Sequence, residues 1–305
     1  MIDRVILILG AMKSGTTALY NYLAQHPDIA ASADKEPMYF SSDERFDRGR
    51  SWYESLFPAA DHARWVLDGS TDCSKYPYCG DVPARIRAFG GEFRLIYIMR
   101  HPLRRIESQA RHAQMFGSEV NEQPVQARRR GLDGGISEVA VQLSDYAAQI
   151  DRFRTWYDQG ELLLLTSDQL RHDPKAAVDR VCDFVGLNPI AELKELDYAN
   201  RREDWTEPRP FSTRLARHPR AVAALRGLLP PSVLRLARRS VRLPGRFRLS
   251  PAEETMLLQR LLPSLVRLRD SYGIDAEEHW GITLPQVARS AQDSEPGSYD
   301  VPRQP

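Results

Sequence analysis

The stretch Val5–Leu23, VILILGAMKSGTTALYNYL, constrains this chain more than any other. Val5, Ile6, Leu7, Ile8 and Leu9 form an unbroken apolar run, as in a strand buried on both faces. The loop Gly10-Ala11-Met12-Lys13-Ser14-Gly15 follows, and Thr16-Thr17 then leads a segment with Leu19, Tyr22 and Leu23 at helical spacing. Strand, glycine-bracketed loop and helix start together predict an anion cradle. Backbone N–H groups point inward, the helix dipole adds partial positive charge, and glycines let the backbone come close to the ligand.

The position of the lysine selects the anion. A nucleotide-triphosphate loop reads G-x-x-x-x-G-K-[ST], with its lysine after the second glycine. Here Thr16 follows Gly15, and Lys13 lies inside the loop. GAMKSGTTALYNYL instead resembles the 5′-phosphosulfate loop of sulfotransferases that use 3′-phosphoadenosine-5′-phosphosulfate (PAPS), G-x-x-K-[ST]-G-T-[ST]-x-L. A second unit strengthens the resemblance. Phe93–Met99 reads as a central strand ending at Arg100, and Pro102 opens a helix to about Phe116 that carries Ser108. Arg100 thus stands at a strand's carboxyl end, where ligands of open parallel sheets collect. A guanidinium fork and a hydroxyl can hold one phosphate from two sides. IYIMRHPLRRIESQ resembles the family's 3′-phosphate segment, R-x-P-x-x-R-x-x-S. Helical spacing places Ser108 on one face with His101, Arg104, Arg105 and Arg111/His112.

The resemblance covers about 5–187 and again 249–280, and it points to the bacterial carbohydrate-type and heparan-sulfate-type branch. It implies that Lys13, Ser14, Gly15, Thr16 and Thr17 bind the phosphosulfate, that Arg100 and Ser108 bind the 3′-phosphate, and that Arg214 is a further phosphate contact. In that branch the glutamate of K-E-P followed by aromatics, here Lys35-Glu36-Pro37, is the general base. An acceptor hydroxyl loses its proton as it attacks sulfur, so such a group is needed; Asp34, Asp72 and His62 compete with Glu36. Lys13 would stabilise charge on the leaving oxygen, and no metal is required. After Arg64–Asp68, a short strand, relatives have a G-E-[KA]-[ST]-P-x-Y-like loop. This chain departs from it at Ser70 and Asp72, and Lys75 could supply the missing charge.

Alternating strands and helices predict an α/β, P-loop-like three-layer fold with a central parallel sheet flanked by helices. Further expected elements are a strand at Ile29–Ala31, helices at Asp81–Phe89 and Ser144–Tyr157, a strand at Leu162–Thr166, a helix from Asp173-Pro174 to Val185, and one from the capping box Ser250–Glu253 to Gly273. The expected domain spans 1–285, with 188–248 as a variable basic cap or lid. Gly117–Gly135 reads as a mobile loop and 286–305 as a disordered tail. From Arg209 to Arg248 there are eleven arginines and no acidic residue, in a chain with five lysines and a net charge of +1. Within it, 230–243 is basic and amphipathic, which suits a lid or peripheral contact with an anionic membrane.

Three cysteines without paired spacing argue against a disulfide scaffold or zinc site and fit a reducing cytoplasm. Val5–Leu9 is too short for a signal-peptide core. The expected partner is a glycan, lipid or small-metabolite acceptor with a hydroxyl or amine, not a nucleic acid; Tyr39, Phe40, Trp52, Tyr76 and Tyr78 are either stacking surfaces for it or core. Two other readings stay open. A small-molecule kinase would use Asp68, at a strand end, for magnesium. A non-catalytic nucleotide-binding or membrane-associated module would explain the arginine belt.

Overall fold

The structure, a computed structural model, describes residues 2–116, 131–132, 136–196, 206–207, 241–242 and 247–285. Arg214, most of the basic segment 230–243, most of Gly117–Gly135 and the tail 286–305 lie outside the described residues.

The strands are β1 (Arg4–Gly10), β2 (Ile29–Ala31), β3 (Trp65–Asp68), β4 (Glu92–Met99), β5 (Gly131–Leu132), β6 (Ile136–Ser137), β7 (Leu162–Thr166), β8 (Thr206–Glu207) and β9 (Val241–Arg242). The helices are α1 (Thr16–Leu23), α2 (Asp43–Phe46), α3 (Arg50–Glu54), α4 (Val82–Phe89), α5 (Pro102–Phe116), α6 (Glu138–Gln142), α7 (Tyr146–Asp151), α8 (Arg154–Asp158), α9 (Ser167–His172), α10 (Pro174–Phe184), α11 (Pro251–Tyr272) and α12 (Ala276–Trp280). Five strands form one sheet in the order β2-β3-β1-β4-β7, every pairing parallel. The other four make two short antiparallel ladders, β5 with β6 and β8 with β9.

Parallel pairing buries both faces of the sheet, and the side-chain period of two sorts the residues. Val5, Leu7 and Leu9 of β1 join Leu95, Tyr97 and Met99 of β4 on one face, against α7, α11 and a group of aromatics. Ile6, Ile8, Ile96, Ile98, Leu163 and Leu165 face the other way, against Leu19 and Leu23 of α1 and Val178 and Val181 of α10. The expected three layers are present. Tyr39 and Phe40 belong to the first core, with Phe40 fully buried and edge-on to Tyr53, Phe89 and Phe93 at 5.3–5.6 Å. Each such ring pair adds about 0.5–1.5 kcal/mol beyond area burial, so these rings are committed to the core. Tyr76, 45% exposed, is the open one.

Helix starts follow their cap residues. Asp81 accepts from Ala84 N ahead of α4, Asp173 from Ala176 N with Pro174 opening α10, and Ser250 and Glu253 close a capping box on α11. Gly273 ends α11 with φ 67°, a left-handed conformation that glycine adopts without a Cβ penalty. The expected single helix over Ser144–Tyr157 is two. Asp145 caps α7 by accepting from Ala148 N at 3.0 Å, and Phe153 interrupts the helical path with φ −110° and ψ 20°. Its N–H reaches back only three residues, to Ile150 O at 2.8 Å. That tightened turn buries Phe153 and Trp156 together, so packing overrides helical continuity. Among the described residues no helix is long and apolar enough to cross a membrane.

Candidate functional site

β1 lies in the middle of the sheet, and the chain leaves it for strands on both sides. Ligands of open parallel sheets gather at such a switch point, beyond the carboxyl ends of the strands. Four loops meet there: 10–16 after β1, 32–40 after β2, 69–75 after β3 and 100–102 after β4.

The first loop is tightly built. Ala11 N–H donates to Ile98 O at 2.8 Å, and Ser14 N–H to Ala11 O at 3.1 Å. A Cβ on Gly10 would come within 2.0 Å of Ser74 Oγ, so glycine is required by the turn Thr71–Ser74 packed against it. Gly15 precedes α1 with φ 99°. No side chain caps this helix and no acid stands in its first turn, which leaves its amides and dipole open to an anion. Lys13 is half-buried with φ 73°, Thr16 is buried and Thr17 exposed. The Ser14 hydroxyl is buried beside Tyr146 and meets no partner of ordinary hydrogen-bond geometry among the described residues.

Tyr146 ties this loop to the end of β4. Its hydroxyl donates to Arg100 O at 2.7 Å, and Arg100 N–H leans on it at 3.4 Å. Arg100 is itself mostly buried, at 8% exposure. Ser108, half-buried, follows two turns into α5. Lys13 and Arg100 therefore stand on adjacent strands at one edge of the sheet.

Arg105 does not share the open face of α5 that helical spacing assigned to it. It is fully buried, donating to Ala140 O (3.0 Å), Ser144 Oγ (2.7 Å) and Gln109 Oε1 (2.6 Å). Packing of α6 across α5 claims that side chain for the interior. Arg104 is also engaged, donating to Glu107 at 3.1 Å.

His112, one turn beyond Ser108, joins the first loop instead. Burial, then the charges of Lys13 and Lys75, push its imidazole down to about 4, so it is neutral at pH 7. Sequence reasoning placed His112 only on the Ser108 face; its i, i+4 relation to Ser108 was the available signal. Lys75 is 5% exposed and forms an ion pair with Asp72.

Glu36 is held between two loops. Lys35 Nζ donates to its Oε1 at 2.6 Å, and Thr71 Oγ1 donates to the carboxylate at 3.4 and 3.5 Å. Its competitors fare differently. His62 ends a short turn, Ala60–His62, that leads into β3, so it lies at the amino edge of the sheet, away from the four loops. Strand direction excludes it from the site. Asp72 is spent on Lys75, and Asp34 is exposed beyond β2. Asp68 is fully buried, accepting from Ser70 N (2.8 Å) and Tyr53 OH (3.1 Å). Those bonds direct it inward, unlike a magnesium ligand of a kinase.

The family described as "Sulfotransferase domain" matches residues 3–210. Human heparan sulfate glucosamine 3-O-sulfotransferase 6 is 30% identical over 235 residues, covering 72% of this chain and 65% of that protein. Human bifunctional heparan sulfate N-deacetylase/N-sulfotransferase 2 is 25% identical over 206 residues, covering 60% of this chain and 22% of that protein. The chain thus spans less than two thirds of the length of these curated relatives. Among solved structures, a sulfotransferase from Alicyclobacillus acidocaldarius superposes with a TM-score of 0.50 at 21% identity, covering 77% of this chain and 99% of that one; it supports the fold.

Proposed function

The chain belongs to the sulfotransferase domain family, and from that premise we propose that it moves a sulfuryl group from PAPS to a hydroxyl or amine of a glycan-like acceptor. The observation that carries this reading is the uncapped start of α1 behind the Lys13 loop, joined through Tyr146 to Arg100 on the neighbouring strand. The residues fit a nucleotide with an anionic group at each end: amides, Lys13, Thr16 and Thr17 at one, Arg100 and Ser108 at the other.

PAPS supplies an activated sulfur whose bond to the bridging phosphate oxygen breaks as the acceptor oxygen or nitrogen bonds to it. Lys13 and the loop amides stabilise the negative charge that grows on the departing oxygen. Glu36 takes the acceptor proton, and Lys35 and Thr71 fix the carboxylate that receives it. The acceptor class rests on the names of the relatives, several of which act on heparan sulfate. Tyr76, exposed and stacked at 4.2 Å under the Arg152 guanidinium, suits a sugar face at the rim.

The test compares calorimetric binding of 3′-phosphoadenosine 5′-phosphate with ATP–magnesium, then follows sulfate transfer to de-sulfated heparan oligosaccharides. Preferred binding of the former is expected. Lys13→Ala should lower kcat by about a hundredfold or more, and Glu36→Gln should keep nucleotide binding while losing transfer. Tight ATP–magnesium binding, or full turnover by either variant, refutes the reading.

A further inference from the structure

Glu36 sits on a loop, so something must hold it. Four hydrogen bonds fasten 35–38 to 69–71. Gly69 N–H donates to Lys35 O at 3.0 Å, and Lys35 Nζ to Gly69 O at 3.3 Å. Met38 N–H donates to Ser70 Oγ at 2.8 Å, and Thr71 Oγ1 to Glu36. Gly69 has no room for a side chain, since a Cβ would come within 2.9 Å of Lys35 O and of the Tyr20 ring. The strap is thus close-packed along its whole length.

Its fixed end is Asp68, the last residue of β3. The fully buried carboxylate takes two donors, one on each oxygen: the Ser70 N–H at 2.8 Å and the Tyr53 hydroxyl at 3.1 Å. The Ser70 hydroxyl, itself fully buried, accepts from Met38 N–H, while the Ser70 N–H donates to Asp68. Ser70 thus links Asp68, through its N–H, to the Met38 backbone, through its hydroxyl, two residues beyond Glu36. Met38 needs such a hold, because its φ of 56° is a conformation that non-glycine residues seldom adopt. From the other side, Ser41 N–H and Ser42 N–H donate to Met38 O at 3.3 and 3.0 Å.

A carboxylate is the side chain this junction requires. It is acceptor-only on both oxygens, whereas an asparagine amide would turn an NH2 toward one of the two donors. Burying a charge is costly, and an apolar residue would fill the sheet at less expense. What the charge adds is a rigid anchor for the loop.

We propose that Asp68 is a positioning residue for sulfuryl transfer: through Ser70 it fixes the Met38 turn and thereby aims Glu36 at the acceptor. The inference rests on Glu36 as the proton acceptor and adds a residue that touches neither donor nor acceptor.

The test uses the full chain with Asp68→Asn and Ser70→Ala, read by amide hydrogen exchange and by kinetics. Exchange at Met38 should rise about tenfold or more in both variants, with the β4 amides Leu95–Met99 unchanged, as in local opening. The kcat should fall about tenfold or more, since small misplacements of a reacting group are costly, while the dissociation constant for 3′-phosphoadenosine 5′-phosphate stays within about twofold. Wild-type exchange at Met38 in Ser70→Ala overturns the proposal, as does a loss confined to nucleotide binding. Should Asp68→Asn not fold, Ser70→Ala decides alone. If the wild-type protein fails to transfer sulfate from PAPS, the functional reading falls, and Met38 exchange still decides whether Asp68 anchors the loop.

Discussion

The burial of Asp68 carries a prediction about stability that needs no substrate. Burial raises its ionisation from 3.8 to about 6, against the opposing pull of its hydrogen bonds from Ser70 and Tyr53. The folded chain therefore binds this proton more tightly than the unfolded chain does. Stability from this group is full below pH 3.8 and is lost as pH rises through about 6. The whole displacement is worth about 3 kcal/mol, of which about 1.3 kcal/mol is expressed between pH 5 and pH 7. Asparagine does not titrate, so Asp68→Asn deletes this dependence and leaves other groups in place. The stability of the variant minus that of wild type should climb by about 1.3 kcal/mol from pH 5 to pH 7, whatever its absolute level. In urea that is a change of about 0.4 M in the midpoint difference, at an m of about 3 kcal/mol/M. The groups facing Asp68 are Glu36, Tyr53, Tyr20 and Cys73. Glu36 is the other carboxylate among them, so the experiment is repeated in a Glu36→Gln background. A difference curve that is flat, or that falls with pH, refutes the reasoning.

Two other outcomes can be checked by spectroscopy and denaturation. The His112 imidazole should titrate near 4 by NMR, and its midpoint should rise in Lys13→Ala and with bound 3′-phosphoadenosine 5′-phosphate, because both relieve the positive field; a midpoint blind to both changes removes His112 from the cluster. Arg105→Ala should cost roughly 3 kcal/mol of stability, because it opens a void and strips a donor from the buried Gln109 carbonyl. Urea midpoints measure this, and a loss under about 1 kcal/mol would contradict the packing described.

The elements that the sequence announced were those whose causes are local. β1 and β4 read as strands because parallel pairing requires long apolar runs, and α10 and α11 because their caps stand in the sequence. The Lys13 loop was legible for the same reason, being contiguous between a strand and a helix. The split between α7 and α8 was not, since Phe153 leaves the helical path to reach a core contributed by other segments. Arg105 escaped likewise: which face of α5 is open depends on α6, more than thirty residues away, and spacing alone cannot say.

The same distinction separates the secure from the insecure parts of the site. A residue just after a strand has its edge of the sheet fixed by strand direction alone. Parallel pairing therefore brings Lys13, Glu36 and Arg100 to one edge and sends His62 to the other, whatever their separation in sequence. Partner choice has no such rule. Lys75 finds Asp72, Lys35 finds Glu36, and Thr71 bonds Glu36 across thirty-five residues. These pairings depend on which loops the order β2-β3-β1 sets side by side. That order also puts the buried end of β3 under the loop that carries Glu36, which is why Asp68, with no exposed surface, is joined through Ser70 to the Met38 backbone of that loop.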